Sequence, residues 1–128
     1  MKRVIGIGGI FFKAENPKEL ASWYKTHLGV PIDETYGGYT FNWSDNTERP
    51  SNGYTIWSPF NQSTEYLNPG KKDFMFNFIV DDLRTLVDVL ESEGISTLGE
   101  IEDTDFGLFT WIMDPEGNKV ELWEPLKE

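Results

Sequence analysis

Hydrophobic and polar positions change period several times along the chain, and each change marks an element. Residues 3–12, "RVIGIGGIFF", are dense in β-branched and aromatic side chains and predict a strand. In "NPKELASWYKTHLG" (16–29) the apolar positions Leu20, Trp23, Tyr24 and Leu28 recur at helical spacing. Asn16 is placed as the N-cap, Pro17 as the first helical residue and Gly29 as the stop. "PIDETY" (31–36), "GGYTFNW" (37–43) and "GYTIWSPF" (53–60) then predict three strands. The polar connector "SDNTERPSN" (44–52) between the last two is expected to be a loop.

The same order returns in the second half. "KDFMFNFIV" (72–80) predicts a strand, and "DDLRTLVDVLESEG" (81–94) a helix opened by Asp and stopped by Gly94. "STLGEI" (96–101), "FGLFTWIM" (106–113) and "NKVELW" (118–123) predict three more strands. An offset of 66 residues relates Phe12 to Phe78, Leu20 to Leu86, Trp57 to Trp123 and Pro59 to Pro125. The expected organisation is a single domain (1–128) of two duplicated βαβββ modules, 1–60 and 72–126, in the α+β class.

Strand alternation sorts the side chains into two faces. Tyr54, Ile56, Phe76, Phe78, Val80, Val120 and Leu122 are expected beneath the helices. The opposite face then carries Phe11, Tyr39, Phe41, Trp43, Trp57, Phe109, Trp111 and Trp123. So many large aromatics on one face mark a ligand cleft, a subunit contact or a second core, and the pattern alone leaves all three open.

Composition narrows the partners. The chain has 128 residues, enough to bury about two-thirds of its unfolded surface. Eleven basic against 22 acidic residues give a formal charge of -11, which repels phosphate and argues against nucleic acid. No apolar run is long enough to span a membrane, and no secretory leader is evident, so a cytoplasmic location is expected. There is no cysteine and one histidine, which leaves no thiolate chemistry and at most one imidazole for a metal site in each subunit.

Three stretches carry a resemblance to a known family: "WYKTHLG" closing the first helix, "FIVDDL" opening the second, and "DPEGNKVELWEP" at the end. With the duplicated βαβββ order, they resemble the vicinal oxygen chelate superfamily, which includes glyoxalases, extradiol dioxygenases, fosfomycin-resistance enzymes and bleomycin-resistance binding proteins. The resemblance implies two modules whose mixed sheet curls around a cleft, and a homodimer. In metal-using members four side chains hold a divalent ion, at the places of Gly9, Thr55, Met75 and Glu121 in this chain. Of these, Glu121 alone is a ligand type suited to zinc, nickel, iron or manganese. No metal and no other cofactor is therefore expected.

Glu121 is the candidate catalytic residue, as a desolvated general base or as a charged anchor, set against a plain surface carboxylate. Trp57 and Trp123 offer a stacking or cation–π wall, with core packing as the alternative. Phe11, Phe41, Trp43, Thr55, Met75, Asn77, Phe109 and Trp111 complete the candidate ligand-binding set, Asn77 as a hydrogen-bonding group. His27, in the last turn of the first helix, is read as structural. "GIGG" (6–9) lacks the spacing of a phosphate loop and fits close strand packing. The expected function is binding of a small aromatic or cationic organic molecule without a metal. The alternatives are a metal-independent lyase or isomerase with Glu121 as base, and a metal-dependent glyoxalase or dioxygenase.

Overall fold

The computed structural model describes residues 14–39 and 62–127. The strand at 3–12, the strand at 53–60, most of the strand at 37–43 and the 44–52 connector lie outside these residues. So do Gly9, Phe11, Phe41, Trp43, Thr55 and Trp57.

Two helices and four strands are described: α1 (Pro17–Leu28), β1 (Phe76–Ile79), α2 (Leu83–Ser92), β2 (Glu102–Thr104), β3 (Gly107–Met113) and β4 (Lys119–Pro125). They form an α+β arrangement around one mixed sheet of order β1-β4-β3-β2. β1 runs parallel to β4, while β3 is antiparallel to both β4 and β2. Among the described residues there is thus one βαβββ-like module and one sheet.

Both helices begin and end where their end signals stand. The Asn16 carboxamide accepts from the Glu19 amide at 3.1 Å, Pro17 opens α1, and Gly29 closes it at φ 67°. Asp82 accepts from the Thr85 amide at 3.1 Å and opens α2. Leu83 and Leu90, two turns apart on α2, are fully buried, as are Val120 and Leu122 of β4 and Ile112 of β3. Leu20 and Tyr24, one turn apart on α1, join the same cluster. Both helices therefore cover one face of the sheet, and α1, from the first half of the chain, is built into the core of the second.

The turn "DPEGN" (114–118) fastens that docking. Glu116 caps the start of α1, its carboxylate accepting from the amides of Glu15 at 2.6 Å and Asn16 at 3.0 Å. Buried Asp114 accepts from the Glu116 and Asn118 amides, from the Asn118 side chain and from the Tyr24 hydroxyl. Burial, together with that bond and the carboxylate's charge, pushes the Tyr24 phenol well above its ordinary range, so it remains a donor.

Two predicted strands are corrected. "PIDETY" is a turn closed by an isolated bridge between Asp33 and Gly38. Its Asp33 side chain accepts from the Thr35 amide and hydroxyl, satisfying the backbone locally in place of a ladder. "STLGEI" forms no strand: its Leu98 amide donates to the Trp111 carbonyl at 2.8 Å, but the Thr97 hydroxyl donates to the Gly99 carbonyl at 2.7 Å and Gly99 sits at φ 114°. The following residues form β2, a short, acid-rich edge strand. The first strand of the second half is also shorter than its apolar run, covering Phe76–Ile79.

Candidate functional site

The face of the sheet away from the helices is built from cross-strand rows. Asn77 of β1 and Trp111 of β3 both pair with Glu121 of β4, which puts the three side chains in one row. The next row pairs Ile79, Trp123 and Phe109 in the same way. Stacked rings link the two rows, Phe109 to Trp111 along β3 and Phe109 to Trp123 across the pair. Phe109 lies 6.5 Å from Trp111 at 16° and 5.9 Å from Trp123 at 10°. Trp111 and Trp123 are buried, and the Trp123 indole donates to the Phe106 carbonyl at 2.7 Å.

Glu121 stands at the end of this ladder with 7% of its surface exposed. Three neutral donors converge on its carboxylate. The Asn77 amide reaches Oε1 at 2.7 Å, while the Trp111 indole at 2.7 Å and the Tyr66 hydroxyl at 2.5 Å share Oε2. A buried carboxylate needs such partners to offset its lost hydration. Among the described residues Oε1 accepts a single bond, which leaves one acceptor position unused.

Tyr66 comes from the segment between the two halves, and the sequence pattern did not mark it. Its ring meets Trp111 edge to face, 6.0 Å away at 90°. Burial, with the hydrogen bond to Glu121 and that carboxylate's charge, pushes the Tyr66 phenol well above its ordinary range, so it stays a donor to Glu121. The segment is seated directly on β4. A Cβ on Gly70 would lie 3.1 Å from the Lys119 amide nitrogen and 2.8 Å from the Leu67 carbonyl oxygen, so glycine allows the close approach.

Lys119, two residues before Glu121 and on the same side of β4, is the second unpredicted member. Its ammonium donates to the Tyr66 carbonyl at 2.5 Å. It also lies over two rings, 5.0 Å from the centre of Tyr66 and 5.2 Å from that of Trp111.

The structure thus brings together Asn77, Phe109, Trp111, Glu121 and Trp123 of the predicted set. Met75 lies one residue before β1. His27 lies apart from them, in the last turn of α1, with Nδ1 3.4 Å from Glu93 near the end of α2.

A family model described as a glyoxalase-like domain matches residues 9–123. The chain belongs to that family. No curated protein matches it. Among solved structures, a glyoxalase family protein from Enterococcus faecalis is 29% identical over 39% of this chain and 40% of that one, with a TM-score of 0.36. The match therefore spans less than half of that relative. A structure described as a conserved domain protein is 16% identical, covers 95% of this chain and 100% of its own, and has a TM-score of 0.59. The two chains share a fold. A third, from the mobile metagenome of V. Pseudocholerae, is 17% identical over 94% of this chain and 96% of that one, with a TM-score of 0.47.

Metal-using members of the wider superfamily hold a dication, and the donor set among the described residues does not suit one. No group of three His, Asp or Glu side chains capable of holding a metal occurs among the described residues. The groups nearest the Glu121 carboxylate point N–H and O–H protons at it, where a metal centre needs lone pairs directed inward. No helix among the described residues is long and apolar enough to cross a membrane.

Proposed function

We propose that this glyoxalase-like protein binds a small aromatic or cationic organic molecule without a metal. The ligand lies against Phe109, Trp111 and Trp123, with Glu121 as its polar anchor and Asn77 beside it. One observation carries the reading: a buried carboxylate, oriented by three neutral donors and with one acceptor position unused, ends a ladder of stacked rings. Fixed polar groups set in an aromatic wall orient a ligand while the rings supply the contact area.

The full site includes the first half of the chain. The 1–60 module supplies Phe11, Phe41, Trp43, Thr55 and Trp57, and its sheet curls with that of the 72–126 module to close the cleft around Met75 and Glu121. The working unit is a homodimer. Support for this arrangement comes from the 66-residue repeat and from family membership across residues 9–123.

A second reading makes the same site catalytic, with Glu121 taking a substrate proton in a lyase or isomerase reaction. The unused position on Oε1 favours it, since a base needs a free lone pair aimed at its substrate.

Tryptophan fluorescence titration against a panel of planar organic molecules tests the binding reading, with Glu121→Gln run in parallel. Wild-type protein should quench saturably, and Glu121→Gln should bind at least about tenfold more weakly while its circular dichroism is unchanged. Absence of any saturable ligand overturns the proposal. Equal affinity in Glu121→Gln removes Glu121 from it. Turnover of a bound compound that collapses in Glu121→Gln at unchanged affinity favours the catalytic reading.

A further inference from the structure

We propose that Lys119 is a ligand-binding residue that fills the cation position of the aromatic face, so that the molecule taken there carries an acceptor oxygen and not an ammonium group. This inference rests on the small-molecule reading above and narrows its ligand class.

The surroundings of the Lys119 ammonium are those of a cation site already occupied. Two rings, Tyr66 and Trp111, lie beneath it at 5.0 and 5.2 Å, and the Tyr66 carbonyl accepts one of its three protons. Glu121 and Glu102 are the carboxylates whose fields reach it. Burial pulls its proton affinity down, and these two charges work against that fall. A ligand ammonium entering the same place would meet Lys119 head on, or would have to displace a group tethered to β4.

The free capacity of Lys119 points the other way. It forms no ion pair with Glu121 and no second hydrogen bond among the described residues, so two of its N–H donors remain for a ligand. Tyr66 is bonded to both charges, its hydroxyl donating to Glu121 and its carbonyl accepting from Lys119. Lys119 and Glu121 therefore form a separated pair of opposite charges along one strand, at one end of the ring ladder. A planar aromatic amide or carboxylate matches this arrangement. Its ring extends the ladder from Trp111, and its oxygen accepts from Lys119 in a charge-assisted bond.

Three probes of similar size and different charge test the proposal: benzamide, benzoate and benzylamine. Each is titrated into wild-type protein, Lys119→Met and Glu121→Gln, following the indole N–H signals in a heteronuclear correlation spectrum. Lys119→Met keeps an unbranched apolar stem on the rings and removes the charge, and unchanged indole signals without ligand show that its fold is kept. Wild-type protein should bind benzamide or benzoate at least about tenfold more tightly than benzylamine. Lys119→Met should reverse that order, losing the oxygen ligand and gaining benzylamine as the ring site opens. Lys119→Arg should keep the wild-type order. Benzylamine binding as tightly as the others to wild-type protein, or an order unchanged in Lys119→Met, overturns the inference. If benzylamine binds wild-type protein and is lost in Glu121→Gln, this inference falls and the small-molecule reading stands. If no probe binds any variant, this inference falls, and the wider panel of planar molecules decides the small-molecule reading by itself.

Discussion

The two sides of β4 are buried by different physics. Val120 and Leu122 face the helices, fully enclosed by Leu20, Tyr24, Leu83, Leu90 and Ile112, and need nothing except close packing. Glu121 and Trp123, between and beyond them on the same strand, face the other way and are also buried, at 7% and 2% exposed. There each polar atom is matched: Glu121 by Asn77, Tyr66 and Trp111, and the Trp123 indole by the Phe106 carbonyl. One face gains stability from removing apolar area from water, the other from placing hydrogen bonds at fixed positions. The first arrangement suits a scaffold, and the second suits a face that recognises something.

The comparison breaks first on the helix side. Leu122→Ala removes a fully buried side chain from the middle of the sheet, where neither helix can collapse into the space. It should cost about 2–5 kcal/mol, read as a lowered urea midpoint with little change in slope. A loss under about 1 kcal/mol would mean that the helices repack freely and that this face is no rigid scaffold.

How much of this was legible in the sequence follows the same division. The helices, β3, β4 and the two faces could be read because apolar residues recur at helical spacing in the helices and side chains alternate between faces along a strand. The Asn16, Pro17 and Gly29 signals and the Asp82 cap act within a few residues, so they too were visible. Tyr66 was not, because its partner Glu121 is 55 positions away and the segment carrying it has no period. The only local hint was a lone aromatic ring in a polar stretch just before the turn-forming Asn68-Pro69-Gly70. Lys119 carries no local mark either, because its partner is the carbonyl of Tyr66, 53 positions away. "PIDETY" and "STLGEI" were misread as strands because side-chain bonds at Asp33 and Thr97 compete with sheet pairing, and residue type alone does not show which wins.

On the polar side the largest single test of the network is Tyr66→Phe, which keeps the ring against Trp111 and deletes one donor to Glu121. Tyr66 is 42% exposed, so water partly replaces the lost bond and the cost should be about 1 kcal/mol at neutral pH. The pH dependence has a definite sign. Burial and the Glu121 carboxylate raise the phenol in the folded state, so the folded protein holds its proton more tightly than the unfolded chain. The contribution is fully present below the unfolded value of about 10 and is lost as pH rises above it. Urea midpoints measured from roughly pH 8 to 11 should fall less steeply in Tyr66→Phe than in wild-type protein, with the remaining decline including that of Tyr24, which Asp114 and burial raise in the same sense. Parallel curves would mean that Tyr66 does not hold Glu121 in solution.

The smallest expected effect has the opposite sign and returns to the helix side. Thr110 of β3 faces the core and is fully buried, and its hydroxyl has no hydrogen-bond partner among the described residues. Among the described residues the helix-facing side of β3 therefore holds a polar atom without a partner, whereas on the other face the polar atoms of Glu121 and Trp123 are paired. Replacing that hydroxyl with a methyl group keeps the β-branched shape favoured in a strand and removes an unmet desolvation cost. Thr110→Val should raise stability by about 1 kcal/mol, and Thr110→Ser, which keeps the hydroxyl and loses the methyl, should lower it. Thermal melts of the two variants check both signs together. If Thr110→Val were the less stable of the pair, the hydroxyl would have to be bonded to enclosed water, and the contrast between a dry face and a hydrogen-bonded one would fail at the strand that carries both.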